Sequence, residues 1–224
     1  MFCTTKFIQQ LNKHSYQPRK LLAILLALTA QHSVAAILPG ELLITELMAN
    51  PAAVSDSKGE WFEVLNTSNH SVDLNGLTVK DNGSNSFTVS ESLIVNAGEY
   101  FVFGKHENIN ENGGYNADYG YSSFTLANSS DAIILEFNST IIDSLVYSDP
   151  SLFAAAGNSA EWIEGSFQLT PESFSYGDGD IGTPGAAGSA SAAAVSPVPL
   201  PSAAWFFASA LGGLVLRRKA QSKH

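Results

Sequence analysis

The stretch EWFEVLN (Glu60–Asn66) decides how the chain is read. Its side chains alternate, Trp61 and Leu65 opposing Phe62 and Val64, and a strand carries successive side chains to opposite faces. Large apolar groups on both sides predict a strand in a sheet packed on one face and partly covered on the other. Trp61 reads as a core anchor. Glu60 and Glu63 lie in or beside this strand, and Glu46 in another predicted strand. A buried carboxylate needs a partner, which Lys80 or nearby backbone donors could supply.

Working outward, short β-branched or aromatic segments recur, separated by Gly, Asn, Asp and Ser clusters. Candidate strands are Leu42–Met48, Glu60–Asn66, Val72–Lys80, Ser86–Val89, Glu99–Gly104, Tyr121–Ala127, Asp131–Phe137, Thr140–Ser148 and Glu161–Leu169. Asn138 and Ser139 leave a hairpin-sized gap between two of them. Gly76 and Gly98 sit where a turn calls for positive φ or a close backbone approach. No sustained helical period appears outside the two chain ends. Many short strands at regular spacing predict an all-β sandwich or barrel, and residues 37–185 suffice for a core without disulfides.

Both ends read as addresses. Residues 1–20 carry Lys6, Lys13, Arg19 and Lys20 and no acid, followed by the apolar run Leu21–Ala30 and small residues up to Ala35 and Ala36. This order of basic arm, short apolar region and small-residue site is that of a secretory signal, with cleavage expected after Ala35 or Ala36. The signal would take residues 1–36, and with them Cys3, the only cysteine. A mature chain without a thiol has no disulfide, thiolate metal site or Cys nucleophile.

Charge is as uneven as hydropathy. Between Ile37 and Ser196, three cations (Lys58, Lys80, Lys105) face all 21 carboxylates, a formal −18. Nucleic-acid affinity depends on Lys and Arg displacing phosphate counterions, so this domain is not expected to bind nucleic acid. Residues 186–197 are poor in charge and in large apolar groups and read as a flexible linker. Residues 198–224 form a further unit. Val198, Pro199, Leu200 and Pro201 precede the apolar stretch Ser202–Leu216, which contains Trp205, and Arg217, Arg218 and Lys219 follow it. An aromatic near one end and cations beyond the other fit a short apolar membrane helix with its C-terminus inside.

That ordered set resembles the PEP-CTERM sorting signal of Gram-negative bacteria, with Leu200 where the motif has Glu. The resemblance implies an exosortase-type processing enzyme as a partner, cutting near the Pro-rich box. The implied destination is the cell surface or extracellular matrix, reached through transient membrane anchoring.

The ectodomain carries a second resemblance. ITELMANP (Ile44–Pro51), GEWFEVLNTS (Gly59–Ser68), VDLNGLTVKD (Val72–Asp81), LIVNAGEYFVFG (Leu93–Gly104) and the closing GTPG (Gly182–Gly185) together resemble the lamin tail domain. This implies an immunoglobulin-like β-sandwich over residues 37–185 with a surface interaction or structural role. The fold expected for the whole chain is therefore all-β, flanked by an N-terminal signal segment and a C-terminal apolar helix.

Candidates for chemistry are sparse. His70 and His106 lie in polar, turn-like contexts, and no metalloprotease, nucleophile-elbow or phosphate-loop motif occurs. Glu161 and Glu164 flank Trp162 and are the carboxylate pair nearest to a glycosidase arrangement. Calcium is the cofactor such loops would suit, because it takes six to eight oxygens. Its candidates are Asp178 and Asp180 in YGDGDIG, and Asn110, Glu111, Asn112 and Asp118 in the long loop before it; turn formation by Gly, Asn and Asp is the simpler reading of these residues. YGYSSF (Tyr119–Phe124) could offer Tyr rings to a surface glycan or pack as a strand. The expected function is a non-enzymatic surface module binding glycan or protein. The competing reading is a calcium-assisted hydrolase of extracellular polymer.

Overall fold

The computed structural model describes residues 36–190. Ala35 of the expected cleavage site, and the sorting residues Val198–Pro201, Trp205 and Arg217–Lys219, lie outside them. Two sheets face one another. The larger has the order β12-β11-β1-β2-β7-β8, built from β1 (Leu42–Met48), β2 (Trp61–Asn66), β7 (Tyr100–Gly104), β8 (Tyr119–Gly120), β11 (Ala160–Ile163) and β12 (Ser166–Leu169). The smaller is β10-β9-β4-β5, from β4 (Thr78–Lys80), β5 (Ser86–Thr88), β9 (Asp131–Phe137) and β10 (Thr140–Tyr147). Two ribbons complete the domain: β3 (Val72–Asp73) with β6 (Ile94–Val95), and β13 (Ser175–Tyr176) with β14 (Asp180–Ile181). Helix is confined, among the described residues, to the single turns α1 (Asp56–Gly59) and α2 (Pro150–Phe153) and the start of a turn at Ser189.

Alternation within β2 places Phe62 and Val64 in the core between the sheets, beside Leu42, Ile44, Leu47, Phe101 and Phe103. Phe62 stacks on Phe103 with ring centroids 4.8 Å apart, as their direct pairing across β2 and β7 requires. The opposite face of the same sheet is also covered. There Met48, Trp61, Val102 and Tyr115 form a second, smaller core. Trp61 is fully buried, and its indole N–H donates to Tyr176 Oη at 2.9 Å. Of the turn glycines, Gly76 and Gly98 have φ of +92° and +75°.

Three expected strands come out differently. Val72–Lys80 divides into β3 and β4, because Asp73 Oδ1 accepts the N–H groups of Asn75 and Leu93 and bends the chain into a turn. Glu161–Leu169 is a hairpin, not one strand, turning at Glu164 and Gly165 with φ of +47° and +94°. Tyr121–Ala127 is irregular. Its Leu126 and Ala127 N–H groups donate to the carboxylates of Glu60 and Asp131, which replace a strand partner.

Candidate functional site

Most of the domain's unusual chemistry lies on the outer face of the larger sheet. A strand running Glu46-Leu47-Met48, with a register shift just before it, puts Glu46 on the side away from the main core. Glu46 pairs in register with Glu63 of β2 on one side and Glu161 of β11 on the other. Three carboxylates therefore stand abreast on three adjacent strands, each side by side with the next. All three residues are about 1% exposed.

Their partners come mainly from one segment, Gly182–Ser189, which crosses over the row as a strap. Glu46 Oε1 accepts the Thr183 N–H at 2.9 Å and the Ser159 hydroxyl, and Glu46 Oε2 accepts the Thr183 hydroxyl. Glu63 Oε2 accepts the Gly185 N–H at 2.7 Å, while its Oε1 takes the Thr45 hydroxyl at 2.7 Å. Glu161 accepts both the N–H, at 2.7 Å, and the hydroxyl of Ser189. The strap lies so close that a Cβ on Gly182 would stand 2.9 Å from Ser159 Oγ and 3.0 Å from Glu46 Oε1. Residues 186–189, expected as the start of a free linker, are thus part of the folded domain. The row itself lines a cavity of about 170 Å³, together with Leu43, Leu65 and Tyr100.

Burial dominates the electrostatics of the row. It pushes the Glu63 carboxyl up to about 8, opposed by the Thr45 hydroxyl and assisted by the Glu46 charge. Glu46 is raised by burial too, against the bonds from Ser159 and Thr183, with Glu161 adding to the rise. Lys80, the cation considered for these acids, instead pairs with Glu136 at 2.5 Å.

Glu60 lies apart, at a more open cavity of about 430 Å³ shared with Asp56, Lys105 and Asn128. Burial raises its carboxyl to about 7, against the Leu126 N–H and the Lys105 charge. Glu60 Oε2 accepts Leu126 N–H at 3.1 Å, Asn128 Nδ2 donates to Asp56 Oδ2 at 3.1 Å, and Lys105 Nζ donates to Phe124 O and Thr125 Oγ1. These polar groups are used to hold the irregular segment 121–128 against the sheet.

The remaining candidates are dispersed. Asp180 is buried and accepts the N–H groups of Ala52 and Ala53, at 3.1 Å each, so its carboxylate ties the β13–β14 ribbon to the loop after β1. Asp178 is exposed at that ribbon's tip, its N–H donating to Gly113 O at 3.0 Å. In the long loop, Asn112 is buried and bonds to His106 O and Tyr115 O, Glu111 pairs with Lys58 at 2.8 Å, and Asp118 accepts Val102 N–H. Among the described residues no three His, Asp or Glu side chains gather as a metal ion would require.

Among the carboxylates of the described residues, His70 approaches Glu41, at 3.5 Å, and His106 approaches Glu111, at 3.9 Å. Glu164 sits exposed in the hairpin turn while Glu161 is buried under the strap, so they do not form a working pair. Tyr121 and Phe124 are interior, with Tyr121 parallel to Phe87 at 5.0 Å, while Tyr119 is half-buried against the same cluster. Among the described residues, no helix is long and apolar enough to cross a membrane.

Sequence reading singled out Glu46 and Glu63 as acids in need of partners but missed the strap that supplies them. GTPG closes the stretch expected as domain, but the following AAGS contains no large apolar residue, and nothing local distinguishes it from a linker. Compared with known families, residues 36–149 match the model of the Lamin Tail Domain. The match ends at the N-cap of α2, so Ser159, Glu161, Thr170 and the strap lie beyond it. The comparison with curated proteins finds no match.

Proposed function

The chain belongs to the lamin tail domain family, and we propose that it is an exported surface protein. Its immunoglobulin-like sandwich would serve as a non-enzymatic interaction or structural module. The observation that carries this reading is how the buried acids are used. Glu46, Glu60, Glu63, Glu161 and Asp180 each hold backbone or hydroxyl donors of the domain itself. A general acid or nucleophile needs a reacting partner within hydrogen-bond reach, whereas these carboxylates point at the fold's own N–H groups.

Export rests on the basic arm, the apolar run Leu21–Ala30 and the small residues ending at Ala36. Sorting rests on Val198–Pro201, the apolar stretch with Trp205, and Arg217–Lys219. The acidic sandwich would be delivered outside the cytoplasm, held briefly by the apolar tail and processed near the Pro-rich box by an exosortase-type enzyme. Its partner would be a surface glycan or protein.

Mass spectrometry of the mature protein from surface and medium fractions tests the reading. The expected product begins near Ile37 and ends near Pro201. A surface or medium product that retains Arg217–His224 overturns the processing step, and one that retains Met1–Ala30 overturns the cleaved signal.

A further inference from the structure

The three carboxylates Glu46, Glu63 and Glu161 stand on neighbouring strands, and among the described residues no Lys or His pairs with them. The Lys and His side chains of the described residues are engaged elsewhere. Lys58 and His106 meet Glu111, Lys80 meets Glu136, His70 meets Glu41, and Lys105 bonds to Phe124 O. The other titratable groups near the row are also acids or phenols. Tyr100 of β7 lies beside Glu63, and its hydroxyl is raised by burial and by that carboxylate. Tyr176 and Asp180 belong to the β13–β14 ribbon, and Asp118 accepts Val102 N–H on the same sheet face. The strap contributes hydroxyl and N–H donors only, from Thr183, Gly185 and Ser189.

Like charges abreast in a water-poor site cannot all ionise without cost, and each proton lost adds to the repulsion. With the strap seated, the row is desolvated. With the strap lifted, the row faces water, and Glu46 and Glu63, raised by burial, return toward ordinary acidity. Lifting the strap and losing a proton therefore favour one another.

We propose that Gly182–Ser189 is a pH-gated latch, seated on the carboxylate row in mildly acidic surroundings and released as they become alkaline. Release would free the nine residues 182–190, which span at most about 30 Å when extended. The point at which the chain leaves the domain would then move from the sheet face to the end of β14. The latch is a property of the folded domain. Only its consequence, a longer tether between sandwich and sorting box, rests on the export reading, and the termini determined by mass spectrometry test that reading separately.

The sign follows from the Glu63 carboxyl at about 8 in the seated state. A raised carboxyl favours the seated form fully below the ordinary carboxylate range and loses that preference as pH rises to about 8. Between those limits one such group shifts the latch about tenfold per pH unit.

Hydrogen exchange of the full chain at pH 5, 6.5 and 8, corrected for base-catalysed intrinsic exchange, reads the latch directly. Protection of peptides covering 182–190 is expected to fall about tenfold per pH unit, while peptides covering β9, which open only with the whole domain, stay better protected than the strap at each pH. Corrected protection of the strap that stays constant from pH 5 to 8 overturns the proposal. Glu63→Gln keeps an acceptor for Gly185 N–H but cannot ionise, and should flatten the fall severalfold; an unchanged slope in that variant also overturns it. Should Glu63→Gln fail to fold, the double variant Thr183→Val, Ser189→Ala leaves every carboxylate in place. It should lower strap protection at pH 5 at least tenfold with β9 unaffected, and protection equal to that of the unaltered chain overturns the latch.

Discussion

At the scale of single residues, Glu46 shows what burying a carboxylate demands. It draws donors from Ser159, Thr170 and both polar groups of Thr183, and the Thr183 N–H lies 137 positions away in sequence. Glu46→Ala leaves those donors unsatisfied in a closed site and is expected to cost about 3–5 kcal/mol, read as a lower urea midpoint at unchanged slope. Glu46→Gln keeps one acceptor oxygen and should cost less, about 1–3 kcal/mol. A Glu46→Ala variant as stable as the parent would mean that the row is ornamental. Sequence alone identified Glu46 and Glu63 as acids in strands that would need partners. It could not identify the donors, because nothing local to residue 46 points to residue 183.

At the scale of elements, alternation was a sound guide where a strand is long and straight. β1 and β9 fall on Leu42–Met48 and Asp131–Phe137 as read from the sequence, and Asn138 and Ser139 make the turn between β9 and β10. Both turn residues have positive φ, +49° and +63°, the two-residue geometry that matches strand twist. Ser139→Gly should relieve a left-handed non-glycine residue and stabilise the domain by about 0.5–1 kcal/mol. A rise of a few degrees in thermal midpoint checks it, and a fall would show that the serine hydroxyl does more than fill the turn. Alternation failed where side chains compete for the backbone. Asp73 breaks Val72–Lys80 by accepting the Asn75 and Leu93 N–H groups. Glu60 and Asp131 keep Tyr121–Ala127 out of a sheet by accepting N–H groups from it. The hairpin at Glu164–Gly165 was missed because EWIEGSFQL reads as one β-rich run whose only turn signal is Gly165.

At the scale of the whole molecule, the domain is closed by its last forty residues. The family match ends at residue 149, yet β11 pairs with β1 and the strap covers the row beyond that point. A chain ending at Asp149 should therefore give no cooperative melt, whereas one ending at Ala190 should melt like the full chain. Equal melting of the two would show that residues 150–190 add nothing to stability. Global stability should also depend on pH in a defined direction. Glu60 at about 7 and Glu63 at about 8 stabilise the fold fully below about pH 4.5 and lose that contribution as pH rises through their folded values. Asp73 acts oppositely. Burial works to raise it, but the Asn75 and Leu93 N–H groups and the Ser92 hydroxyl hold it lower, so its contribution is lost as pH falls through its folded value. Melting of the full chain should peak near about pH 4–4.5 and decline from there to about pH 8; a midpoint that rises between pH 5 and pH 8 contradicts this. By itself the sequence determined the all-β class, the central strand with its two apolar faces, and the acids that required partners. Composition, alternation and turn residues are local properties. Tertiary structure alone decided that Ala186–Ser189 belong to the domain and that the whole strap from Gly182 closes over the carboxylate row. The strap's contribution is backbone N–H groups and two hydroxyls, donors every sequence carries, whose value appears only when folding sets them against buried carboxylates.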